Sequence, residues 1–115
     1  MSLKKFYRGF CEPSMVIVEE QDDEGNVCRV EELFHVRRHS PTGFSWGYLG
    51  SGPADLALAI LTEFTGNQKS VENLYQGFKI DVIANLDTNK NFTLYDIDIK
   101  EWLERNGYYG EEKIK

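Results

Sequence analysis

Between Phe6 and Arg38 apolar and polar residues tend to alternate, and from Pro53 onward apolar residues recur at spacings of three and four. The first pattern belongs to half-buried strands and the second to helices with one buried face. Phe6 to Phe10 reads as a short aromatic strand, interrupted by Pro13. Met15 to Glu20 is apolar and β-branched, which suits a pleated surface. Asp22 to Asn26 is turn chemistry, with Gly25 or Asn26 able to take positive φ. Val27 to Arg38 resumes the alternation, with a bulge expected at Glu31-Glu32. Ser40-Pro41-Thr42-Gly43 predicts a further turn, and Phe44 to Tyr48 a fourth short strand. These elements predict a mostly antiparallel meander.

The second half predicts about three helices. Pro53 suits a first helical position, which places Gly52 at the N-cap and Asp55 at the third position, reaching back to a free N–H. Leu56 to Leu61 and Phe64 are apolar nearly all round, the mark of a buried helix, and Gly66 suits its end. Ser70 is the expected cap of a second helix, whose stripe is Val71, Leu74, Tyr75, Phe78, Val82 and Leu86. Phe92 to Tyr95 reads as extended, and Asp96 as the cap of a third helix ending at Asn106-Gly107. Strands first and helices second predict an α+β fold: a small antiparallel sheet of three to four strands packed against about three helices.

Length and charge narrow the class. At 115 residues the chain reads as one domain, 1–115, with a leading Met-Ser-Leu of the kind expression vectors add and a charged tail, 108–115, expected to fray. No apolar run approaches the ~20 residues of a membrane span, and the start has no signal-peptide core, so a cytoplasmic protein is expected. Residues 19–32 hold seven acidic side chains against Arg29 alone, which accounts for the whole formal charge of −6. That balance disfavours direct nucleic-acid binding and suits a solvated hairpin tip. Cys11 and Cys28 are expected to be reduced, buried and apart, with Cys28 opposite Glu19 and Cys11 opposite Val36.

Candidate chemistry is sparse. Gly43-Phe44-Ser45-Trp46-Gly47 matches G-x-S-x-G, but the helix that a nucleophile elbow needs begins too far along. Both histidines, His35 and His39, also lie upstream of the serine, so the match reads as coincidence. The glycines from Gly47 to Gly52 deliver the chain to a helix N-terminus, where free N–H groups could hold a small anion or nucleotide. Arg37 and His39 would assist at Ser51 and Gly52, although Asp55 already brings a negative charge there. Asp87 to Asp98 resembles a degenerate calcium loop, with Asp87, Asn89, Asn91 and Asp98 as ligands. It has Phe92 where a calcium loop has glycine, and Asp98 where it has glutamate. Phe44, Trp46 and Tyr48 are candidate recognition residues, with Trp46 and Tyr48 expected to be exposed anchors, since aromatic side chains dominate interface energetics.

The stretch GFSWGYLGSGPADLALAIL, residues 43–61, resembles the signature of a small uncharacterised domain family of prokaryotes, their phages and their plasmids. Tyr7-Arg8-Gly9 and the Ile99 to Leu103 ending also resemble it. The resemblance implies a domain of unknown function associated with mobile elements, and no cofactor or catalytic residue. The expectation is therefore a non-enzymatic module that binds a protein partner through its 43–53 loop. No cofactor and no membrane are expected, and a second copy of the chain is admitted as a partner.

Overall fold

The computed structural model describes residues 3–40 and 42–109. Strands β1 (Lys4–Cys11), β2 (Ser14–Gln21) and β3 (Val27–Glu32) are followed by helices α1 (Ser51–Thr65), α2 (Gln68–Val71) and α3 (Tyr75–Asp81). A 3₁₀ turn over Ile83–Asn85, strand β4 (Phe92–Tyr95) and helix α4 (Asp96–Arg105) complete the order. The fold is α+β, with a four-stranded antiparallel sheet in the order β3-β2-β1-β4.

The alternation in β1 and β2 sends Tyr7, Val16 and Val18 to a buried face, with Leu33 just past β3. Against them lie the α1 residues Gly52 to Leu61, all buried. A helix that is apolar on every side must be enclosed, and α1 is the centre of the core. Val71, Phe78, Ile83, Ile99, Trp102 and Leu103 close the core from the remaining elements.

Several expectations are corrected. The fourth strand is 92–95, paired with β1, and 44–48 is not a strand. Strand β3 stops at Glu32, with one further bond from the Leu33 N–H to Val16 O, so 34–38 lies outside the ladder; the register irregularity sits at Glu20/Gln21 of β2, away from Glu31-Glu32. Helix α1 begins at Ser51 behind an extended Gly50, which moves Pro53 to the third position and Asp55 to the fifth. Asp55 therefore cannot serve the first turn; its carboxylate accepts the Ser40 N–H at 2.9 Å. Gly66 ends the helix at φ +74, as a left-handed cap requires.

The expected single helix from Ser70 is broken into α2, α3 and the 3₁₀ turn, and its cap is Asn67, whose side chain accepts the Ser70 N–H. The apolar stripe survives the breaks because the pieces keep turning the same residues inward. Asp96 is the first residue of α4 rather than its cap; its carboxylate accepts the Lys5 and Ile97 N–H groups.

Both cysteines are free. Cys11 pairs with Ser14 across the β1–β2 turn, and Cys28 is exposed beside the β2–β3 irregularity, so neither is deeply buried. Tyr108 packs against the core and bonds to Leu103, so fraying does not begin there. The expectations for residues 1–2, for Pro41 at its turn and for the tail from 110 fall outside the described residues. Among the described residues, no helix is long and apolar enough to cross a membrane.

Candidate functional site

The 43–50 segment crosses the start of α1 and is tied to the 83–90 loop instead of the sheet. The Gly47 N–H donates to Ile83 O at 3.0 Å, and Thr88 Oγ1 donates to Trp46 O at 2.9 Å. The Trp46 indole N–H is shared between Asp87 O at 3.1 Å and Lys90 O at 3.0 Å. Its ring meets Phe92 edge-on at 4.8 Å between centroids. These bonds use the groups that a strand would have given to a neighbour, and they explain why 44–48 is irregular.

Close approach fixes the loop further. Gly47 has φ +92, and a Cβ there would come within 2.0 Å of Thr88 Oγ1. At Gly52 a Cβ would lie 1.9 Å from Ser45 Oγ, so the segment passes directly over the first turn of α1. Phe44 is buried and stacks face to face on His35, with centroids 3.7 Å apart. Two small clefts, of about 90 and 120 Å³, adjoin here and share Ser14 and Phe44.

The candidate residues divide by exposure. Trp46 is only 3 % exposed, so it is a core latch and not the exposed anchor expected from sequence. Tyr48 and Leu49, at 47 % and 65 %, stand out at the tip, with the Tyr48 hydroxyl 2.8 Å from Ser45 Oγ. Leu49 was not singled out in the sequence; its position between Tyr48 and Gly50 is the signal that could have found it.

Arg37 is not brought to the helix start. It bonds Glu72 at 2.6 Å, and that bond holds the Glu72 carboxyl below its usual range, helped by Gln68. His39 is exposed, with Nδ1 3.5 Å from the Asp55 carboxylate. Ser51 is exposed and Gly52 buried under Ser45. An anion at this end would meet the Asp55 carboxylate near by, with Arg37 committed to Glu72.

The 87–98 stretch does not turn as a calcium loop. Among the described residues no non-glycine residue, Phe92 included, has positive φ, and Phe92 is buried. The Asp87 carboxylate accepts the Asn89 N–H at 2.9 Å, and Asn91 Oδ1 accepts the Cys11 N–H at 2.9 Å. Asp98 lies in the first turn of α4. Among the described residues, no group of three or more His, Cys, Asp or Glu is placed to hold a metal ion.

A family model matches residues 7–105, nearly the whole described chain. The chain belongs to DUF6166, a family of unknown function. The match runs from Tyr7, within β1, to the end of α4, so the family unit includes part of every strand of the sheet and the locked loop. No curated protein and no solved structure matches the chain.

A second polar cluster joins the sheet to the far end of α1. Tyr7, with no exposed surface, donates its hydroxyl to Glu63 Oε1, and Lys5 Nζ reaches the same carboxylate at 3.2 Å. Arg29 joins Glu20 at 3.0 Å and Glu63 at 3.6 Å. Sequence reasoning missed Glu63 because it stands alone in an apolar run, far along the chain from its partners.

Proposed function

We propose that the chain is a small non-enzymatic binding module that engages a protein partner with the tip of its 43–53 loop. The observation that carries this reading is the combination of Tyr48 and Leu49 exposed on a backbone held by the Trp46, Gly47 and Thr88 bonds. A rigid aromatic–aliphatic pair loses little conformational freedom on binding, so most of its burial is realised as affinity. The formal charge of −6 favours a protein over a nucleic acid as the partner. A cytoplasmic setting and an association with phages or plasmids belong to the same reading, the latter resting on the resemblance of residues 43–61.

The test is in-cell crosslinking of the wild type against a Tyr48→Ser, Leu49→Ser double variant. Both side chains are exposed, so the stability read from urea melts should change by less than about 1 kcal/mol. The expected outcome is a crosslinked protein partner that the double variant loses. Identical crosslinking by both chains would remove the loop tip from the reading.

A further inference from the structure

The helices pack on the Tyr7–Val18 side of the sheet and leave its other side open. Along β1 the open side carries Phe6, Arg8 and Phe10; along β2 it carries Met15, Ile17 and Glu19. Val30 and Glu32 of β3 and Thr93 and Tyr95 of β4 extend it, and none of these residues is buried. The register runs one step past β3, because the Leu33 N–H donates to Val16 O at 2.9 Å. Leu33 is buried, and Phe34, the next residue along the chain, is 77 % exposed. An exposed face that gathers this many apolar side chains around a single internal ion pair, Arg8–Glu19, marks a docking surface.

We propose that this open sheet face is a self-association surface, and that its occupant is the same face of a second copy of the chain. Charge selects the occupant. The face carries Lys4 and Arg8 against Glu19 and Glu32, no net charge on a chain whose formal charge is −6. A basic partner matched to the molecule as a whole would gain nothing here, whereas a second neutral face meets no repulsion. Arg8 is already paired with Glu19 at 2.9 Å. That leaves Lys4 and Glu32, which lie on different strands at different heights. One two-fold axis in the interface sets each opposite the other's copy, as an isologous contact requires.

Area agrees with this. Four strands ~4.8 Å apart and about six residues long at ~3.3 Å per residue give a face of roughly 400 Å². With side-chain relief and Phe34, two copies bury on the order of 1,000 Å², the lower bound for a specific interface. The expected product is a reversible, weak dimer of two stacked sheets. The inference is independent of the loop reading, since it uses none of the loop's residues.

Sedimentation equilibrium of the full chain from micromolar to millimolar concentration is the test, with a monomer–dimer equilibrium expected. A Val30→Lys, Phe34→Lys double variant replaces two exposed side chains and should weaken the dimer at least ~10-fold. Lys4→Glu should weaken it too, and Glu32→Lys in the same chain should restore it, an outcome that misfolding cannot imitate. A wild type that stays monomeric throughout would overturn the proposal. So would association that these variants leave unchanged, or that Tyr48→Ser abolishes instead.

Discussion

Tyr7 has no route to water, and the Glu63 carboxylate is the acceptor its hydroxyl has found. Burial first, and then the bond to Glu63, push the phenol far above its usual range, so it remains a donor at every working pH. Removing the acceptor strands a buried hydroxyl, which costs about 1–3 kcal/mol. Glu63→Ala is therefore expected to lower stability by that order in urea melts. Adding Tyr7→Phe to it should recover part of the loss, because the second change removes the stranded group. Little of this was legible in advance. Tyr7 reads as one more aromatic strand residue, and a single glutamate near a helix end reads as solvated. A pairing across 56 positions leaves no periodic trace in a sequence.

The 43–50 segment shows how an element can imitate another. Phe44 and Trp46 are buried and Ser45 and Gly47 less so, which is the period of a strand. What separates the two cases is where the backbone and indole donors go, and that depends on the 83–90 loop folding up beside them. Strands β1 and β2 were legible because their alternation and their pairing coincide. The 70–86 stripe was legible as a buried face and illegible as three pieces. Glycines offer a direct check on the locked segment. Gly47→Ala would force positive φ on alanine and drive its Cβ to 2.6 Å from the Thr88 backbone nitrogen. Gly25→Ala meets the same positive φ, +88, with nothing within 4 Å. Thermal or urea unfolding should show a loss of about 1 kcal/mol at Gly25, the conformational cost alone, and roughly twice that or more at Gly47.

For the whole molecule, stability should fall in two stages as pH drops. His35 titrates below its usual 6.5, chiefly because burial disfavours the imidazolium and secondarily because Arg38 is near; Asp55 and Glu32 oppose this more weakly. The unfolded chain then binds the proton more readily than the folded one. His35's contribution is complete above 6.5 and is lost as pH falls through that value towards the folded one. Glu19, held low by Arg8 and Gln21, and Glu72, held low by Arg37 and Gln68, lose theirs further down, below the usual carboxylate range. A series of urea midpoints against pH should show both stages, and His35→Gln should flatten only the first. At this scale the sequence was most informative: α+β class, three strands ahead of the first helix, and a central apolar helix all follow from patterning. The strand order does not, because Phe92 to Tyr95 is too short to advertise a partner.

That short strand sets a schedule for biogenesis. β1 is made before the rest of the sheet, and its neighbour on one side is β4, more than eighty residues later. During synthesis β1 can zip to β2 at once, yet its other edge stays bare until β4 has been made. Unpaired edges recruit other chains. The interval is a window of vulnerability, in which nascent copies translated close together on one message are exposed to one another. The acidic β2–β3 hairpin, already complete by then, gives each emerging chain a like charge that keeps its neighbours at a distance.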